Sequence, residues 1–239
     1  YIEVPSDFPP ERSPIFFDPV ETITNDRAKE LGIKLLDRSK YKSQAAFEIE
    51  ATERGFEHLY GIVASRVREI VDFFAGSPGI IPCSSYKMVQ ALKDYLDADP
   101  RFMWATDGVM NREMIDRFKA EASEKSLILV SAGIVEGHSF DDDISRFQII
   151  PKMPFSAYDD FMKEMCERWG NHYYTSKTAT TLQQMVGRSM RSASDHCVTI
   201  VLDKKFDIIK TKAVMQFYSK HFLSCIKWDE KWEDFERPD

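Results

Sequence analysis

Cysteine is scarce in this chain. Cys83, Cys166, Cys197 and Cys225 stand far apart and form no C-x-x-C pair. At this length a disulfide framework and a zinc site are both disfavoured, and reduced thiols in an intracellular protein are expected. No apolar run approaches the ~18–20 residues of a membrane helix, so no membrane partner is expected. The chain opens at Tyr1, with neither a methionine nor a charged-then-apolar leader, and is read as a piece of a longer protein. There is no internal repeat and no low-complexity tract. There is no Gly-Lys dipeptide, and therefore no G-x-x-x-x-G-K-S/T phosphate loop. "DEKW" at 229–232 lies in an acidic tail, not after a buried strand, and is no Walker B box. Cys197 is not followed by the C-x-x-x-x-x-R of a cysteine phosphatase, and His138 and His196 lack metal-ligand spacing.

The 239 residues, 43% of them hydrophobic and 30% charged, suffice for one substantial core. A net charge of −7 argues against a generic nucleic-acid-binding surface. The charge is uneven, however. Residues 177–212 hold seven basic side chains against three acids, a local balance of +4, whereas the end of the chain reads "WDEKWEDFERPD". A local basic face can still meet phosphates.

The pattern along the chain alternates. A proline-rich entry leads to a short strand near Ile15–Phe17, and residues 24–37 and about 44–75 read as helices. Strand-like apolar runs at 79–83, 101–106, 126–131, 146–151 and 197–203 are separated by helical segments at 86–96, 111–122, 157–169 and about 176–191, and a helix over 213–222 closes the fold. Short, wholly apolar strands alternating with helices predict an α/β parallel sheet covered on both faces. The division expected is a helical insertion or lobe at 24–75, an α/β core at 76–222 and an acidic tail at 227–239. Ligands of such sheets sit at the carboxyl ends of the strands, here the loops after Cys83, Thr106, Ser131, Pro151 and Asp203.

Residues 182–191, "LQQMVGRSMR", carry the sharpest signal. On a helix turning about 100° per residue, Gln184, Arg188 and Arg191 form one stripe, with Leu182, Met185, Val186 and Met190 opposite. Gly187 costs about 1 kcal/mol against alanine in a helix interior, which suggests close approach by something beside Arg188. Two guanidiniums aimed alike suit a polyphosphate, since each can fork two oxygens. A solvated helix face is the plain alternative.

"QMVGRSMR" resembles the Q-x-x-G-R-x-x-R motif that closes the motor of superfamily 2 helicases. "GIIPCSSYKM" (79–88) resembles motif IV, "SAGIVEGHSFDDDISRFQIIPKMPF" (131–155) resembles motif V of the XPD/DinG branch with its K-x-P-F segment, and "VLDKKF" (201–206) resembles the D-x-R-F stretch after the last strand. The resemblance spans nearly the whole chain. It implies the second RecA-like motor domain of an ATP-dependent DNA helicase that moves 5′ to 3′ on single-stranded DNA or a fork and acts in DNA repair. Such a protein would be cytoplasmic and nucleoid-associated in a prokaryote or virus, nuclear in a eukaryote. ATP and Mg²⁺ would be held mainly by an N-terminal helicase domain of the same polypeptide, which in many members also carries an iron–sulfur cluster. By this resemblance Arg188 and Arg191 reach the γ-phosphate, Gln184 orients the attacking water or contacts the γ-phosphate, and Glu136, Gly137 and Gly187 line the nucleotide cleft. Ser139 departs from the usual aspartate of E-G-x-D-F, and Lys205 from the usual arginine.

For DNA, Ser84, Ser85, Tyr86 and Lys87 offer hydroxyls, an aromatic and a charge at a helix start, and Thr106 and Ser131 are similar candidates. Trp169, Tyr173 and Tyr174 are candidates for stacking on bases, against packing between helices. Asp141–Asp143 reads as a solvated acidic turn, with metal binding as the alternative. The isolated chain is expected to lack ATPase activity. A non-catalytic platform for DNA or protein is the competing reading.

Overall fold

A computed structural model of the chain describes residues 8–134, 137–140, 142–190 and 195–236. Seven strands form one sheet: β1 (Ile15–Glu21), β2 (Gly79–Pro82), β3 (Phe102–Ala105), β4 (Ile128–Ser131), β5 (Phe147–Ile150), β6 (Val198–Asp203) and β7 (Ile226–Lys227). Their order is β3-β4-β2-β5-β6-β1-β7, and every pair is parallel. β2 to β6 are buried along their whole length, as the unbroken apolar runs predict. This is the expected RecA-like α/β architecture.

The helices are α1 (Asn25–Leu35), α2 (Gln44–Phe73), α3 (Tyr86–Leu96), α4 (Gly108–Lys125), α5 (Asp160–Trp169), α6 (His172–Val186), α7 (Lys212–Met215) and α8 (Lys220–Cys225). Successive strand residues point to opposite faces. On β6, Val198, Ile200 and Leu202 join the core beneath α2 and α3, while Val201 joins Leu182, Met185 and Val186 of α6. On β4, Ile128 and Val130 take the first face, and Leu129 meets Ile115 and Phe118 of α4 on the second. Side-chain caps open most helices: Thr24, Ser43, Ser85, Asp107, Asp159 and Ser219 each accept a backbone N–H of the first turn.

The long helix α2 does two jobs. Its second half, from Tyr60 to Val71, lies in the sheet's core. Its first half pairs with α1 through four small residues. A Cβ on Gly32 would fall on the Ala51 carbonyl, and one on Gly55 on the Ala28 carbonyl, far inside van der Waals contact. The two backbones therefore touch.

Three local expectations are corrected. The helix predicted to run to residue 191 ends at Val186, and Gly187–Ser189 form a 3-10 turn. The helix predicted over 213–222 is two short helices. Gln183 on α6 accepts the Ser219 N–H (2.9 Å) and donates to the Phe217 carbonyl (3.3 Å), so tertiary bonds replace those of a continuous helix. The acidic end of the chain also packs in the fold. Ile226 and Lys227 extend the sheet beside β1. Trp232, only 3% exposed, donates to Asp18 (2.9 Å), and the Arg66 guanidinium lies 5.0 Å from its ring.

Glu21 closes β1 with a register shift, just after the exposed Pro19. Burial alone would raise its carboxyl pKa. Hydrogen bonds from Arg27 and the Thr22 N–H, with the charge of Lys204, outweigh burial and hold it at about 2.

Two predictions follow from this packing. Gly32→Ala and Gly55→Ala should each lower the denaturation midpoint, by roughly 1–3 kcal/mol, although alanine normally strengthens a helix. An unchanged or raised midpoint would refute the close backbone contact. For Glu21, the folded pKa lies below the ordinary 4.5, so the folded state binds fewer protons between pH 4.5 and about 2, and stability is lost as pH falls through that window. Urea melts of Glu21→Gln should show a shallower loss across it than the wild type; parallel curves would show that Glu21 contributes nothing there.

Candidate functional site

The register of the sheet decides which loops meet. Pro82 pairs with Ser131, and Ser131 with Ala105, so β3, β4 and β2 end level. The segments after them, Ser84–Lys87 and Thr106, therefore emerge side by side at the carboxyl edge. Ser84, Ser85 and Lys87 are exposed, and Tyr86 and Thr106 are half-buried. Ser85 caps α3 (3.3 Å to the Met88 N–H), leaving the first N–H groups of that helix facing outward. The Tyr86 hydroxyl leans to within 3.7 Å of where a Cβ on Gly108 would lie, bridging the starts of α3 and α4. The Lys87 ammonium rests 5.6 Å from the centre of the Phe56 ring of α2. Val109, 90% exposed, and the exposed Met110 flank this edge.

Ser131 sits differently from the other candidates. It is fully buried; its hydroxyl donates to the Asn111 carbonyl oxygen and accepts the Gly133 N–H (2.9 Å). It shapes the loop from beneath. Asn111 was invisible as a partner in the sequence, being one polar residue among many on α4.

The second group lies at the opposite edge. α6 runs back against the strands: Tyr174, near its start, lines a cavity with Asp203 at the carboxyl end of β6. Gly187, past its end, lines another with Ser13 and Ile15 at the amino end of β1. The Val186 carbonyl accepts from the buried amide of Gln148 (3.1 Å), which also donates to Thr199 (2.7 Å). The sequence signal for Gln148 was a lone polar residue inside an apolar strand.

Since the α-helix stops at Val186, Gln184 and Arg188 do not share one helical stripe. Gln184 is exposed on the last α turn, and Arg188 is half-buried on the 3-10 turn. The buried side of the segment is as expected, with Leu182, Met185, Val186 and Met190 all in the core. Among the described residues nothing lies within 4 Å of where a Cβ on Gly187 would be, and its φ of −74° is ordinary, so no neighbouring helix of this chain makes the close approach and the space beside Arg188 is open. Arg191 and Glu136 lie outside the described residues, as does Asp141.

Arg188 binds the 137–140 segment twice. Its guanidinium donates to the His138 carbonyl (2.8 Å), and its own carbonyl accepts the Phe140 N–H (2.9 Å). Phe140 is fully buried against Phe118 of α4. Gly137, exposed with φ +80°, makes the turn before His138 in a conformation glycine adopts without strain. The Lys119 ammonium lies 5.5 Å from the Phe140 ring. Burial, reinforced by the positive charges of Lys119 and Arg188, pushes the His138 imidazole below the usual histidine value, with Asp116 in weak opposition. The result is a local concentration of positive charge suited to an anion.

The remaining candidates have structural partners. Asp143 pairs with Arg146, which also contacts the His196 ring (3.2 Å). Tyr174 donates to the Ser156 carbonyl (3.0 Å), while Trp169 is 54% exposed. The four cysteines are free and buried apart, which does not fit an iron–sulfur cluster held by this chain. Among the described residues no three His, Cys, Asp or Glu side chains converge as a metal site, and no helix is long and apolar enough to cross a membrane.

Comparison with known proteins agrees with this arrangement. Residues 75–221 match the helicase C-terminal domain family. ATP-dependent DNA helicase YoaA of Haemophilus influenzae is 26% identical over 164 residues, covering 65% of this chain and 24% of that protein. The chain thus spans about a quarter of the length of this curated relative. Two XPD helicase structures superpose with TM-scores of 0.55 and 0.54, at 16% and 14% identity; each covers 85% of this chain, and 38% and 34% of theirs respectively. These likenesses carry the fold, and the family match carries the membership: the chain belongs to the family of helicase C-terminal domains.

Proposed function

We propose that this chain is the C-terminal motor half of an ATP-dependent DNA helicase. The observation that carries the reading is the double hydrogen bond between Arg188 and the 138–140 segment, beside Lys119. This unites the two segments that resemble motifs V and VI in one electropositive surface, at a position a second domain can face. The printed name of the Haemophilus influenzae relative supports the same activity.

Phosphoryl transfer needs a cradle for the phosphates and cations for the charge that develops on the γ-phosphate. This chain has no phosphate loop, so it contributes only the second part. An N-terminal domain of the same polypeptide would hold ATP and Mg²⁺, with any iron–sulfur cluster also outside this chain. Arg188 and Arg191 would then neutralise the transferring phosphoryl group, Gln184 would orient water, and Glu136, Gly137 and Gly187 would border the cleft. The bond from Arg188 to the His138 carbonyl gives that arginine a fixed starting geometry. At the other edge, Ser84–Lys87 and Thr106 would hold single-stranded DNA through backbone phosphates, with Ser131 bracing the loop. Because Phe140 and Arg188 are tied to the same core, a change at the nucleotide would be felt at the strand ends. DNA repair inside the cell, in the nucleoid or nucleus, is the role that fits.

The test uses the full-length protein. Arg191→Ala should reduce DNA-stimulated ATP turnover by about 10³-fold or more, with an unchanged melting temperature. Arg188→Ala should reduce turnover similarly and also lower the melting temperature, because it removes the guanidinium bond to the His138 carbonyl. Near-normal turnover in both variants would overturn the motor assignment in favour of a non-catalytic platform.

A further inference from the structure

The sequence pointed to the loops after Pro151 and Asp203, and separately to Lys205 and Tyr174, without bringing them together. In the structure these loops enclose a cavity of about 570 Å³ at the carboxyl ends of β5 and β6, near the start of α1. Lys152 and Lys205 line it, with Phe155, Tyr174, Thr24 and Asp203.

Two features are unusual for a surface cavity. First, among the described residues its cations have no ion-pair partner in direct contact. Lys152 is half-buried, yet among the described residues its ammonium has no hydrogen-bond or ion-pair partner. Lys205 is exposed, and among the described residues its ammonium has no ion-pair partner and rests over the Phe155 ring, at 5.4 Å. Asp203 does not answer them: its two carboxylate oxygens accept the Met153 N–H (2.9 Å) and the Lys205 N–H (3.0 Å). Burial pushes the Lys152 ammonium below the usual lysine value despite the pull of Asp203, with Lys205 adding to the effect. An anion between the two lysines would relieve both. Second, the rings form an open row. Phe155 stacks on Tyr174 (6.0 Å, 14°), and Tyr158, 56% exposed, meets Tyr174 edge-on (5.7 Å, 82°).

Ammonium groups beside exposed rings match a chain that alternates phosphates with planar bases. The location also fits. β6 lies two strands from β2, so the cavity opens roughly 10 Å along the same sheet edge from Ser84–Lys87. We propose that Lys152, Lys205 and the Phe155–Tyr174–Tyr158 row form a second station for a single strand of nucleic acid, the lysines on its phosphates and the rings against a base. This rests on the DNA-holding reading of the first edge, and extends the track across the sheet.

The experiment is a salt titration of binding to labelled oligothymidylate, read by fluorescence anisotropy on the full chain. Lys152→Ala and Lys205→Ala should each reduce the steepness of log K against log salt by about 0.7, the value for one phosphate contact on a single strand. Tyr174→Leu should weaken binding roughly tenfold with the slope unchanged, and Tyr174→Phe should keep wild-type affinity because the ring remains. Lys205 is exposed, so its substitution leaves the fold intact even if Lys152→Ala does not. Lys87→Ala reports on the first edge. If it lowers the slope while both cavity variants match wild type, the second station is wrong and the DNA-holding reading stands. If the wild-type chain binds no strand, or Lys87→Ala is also neutral, the DNA-holding reading fails and takes this proposal with it.

Discussion

Burial of the parallel sheet on both faces is the constraint on which the rest of this structure depends. A strand with helices above and below has no solvent for its backbone groups, so each must pair sideways, and its side chains must be apolar in both directions. β2 to β6 meet that demand completely. Polar chemistry is thereby driven to the two ends of the sheet. Ser84–Lys87 and Thr106 cluster at one end because three strands stop in register. Arg188 stands at the other because α6 must return there before β6 can begin.

The buried exceptions connect these ends. Gln148 places an amide in the core, where it takes the last carbonyl of α6 and marks where that helix stops. Phe140 is the apolar counterpart. It is locked against α4, and its N–H holds the Arg188 backbone. The guanidinium geometry thus traces through two hydrogen bonds to a fully buried ring. Ser131 has the corresponding role at the carboxyl edge, where its hydroxyl joins α4 to the loop after β4. Asp203 does so at β6, fastening the 152–155 segment beneath the cavity that Lys152 and Lys205 line. Gln148, Ser131 and Asp203 each hydrogen-bond a backbone group that they also position.

Much of the fold was legible because the relevant signals are local. Apolar runs bounded by turns marked the strands, and α3 begins and ends where its periodicity does. The errors share one cause. The end of α6 and the break between α7 and α8 are set by Gln148 and Gln183, whose partners are 38 and 34 residues away. The acidic end packs inward because Trp232 finds Asp18, across 214 residues. Glycine was the least legible residue. Gly187 drew notice, and among the described residues nothing crowds its open side, whereas Gly32 and Gly55 passed unremarked and bring two helices into backbone contact.

The sequence by itself determined the class of fold, the order of its elements and the residues that resemble a motor's second half. Side-chain period and composition act over a few residues, and motifs are read in a line. Only the tertiary structure decided which loops meet, which hydroxyls stay exposed, and which arginine is held by which carbonyl. Those outcomes depend on strand register and on single long-range hydrogen bonds, and a linear pattern contains neither. Lys152 is of the same kind: a lysine is unremarkable in sequence, and acquires meaning only once burial has taken part of its water and, among the described residues, no acid pairs with it directly.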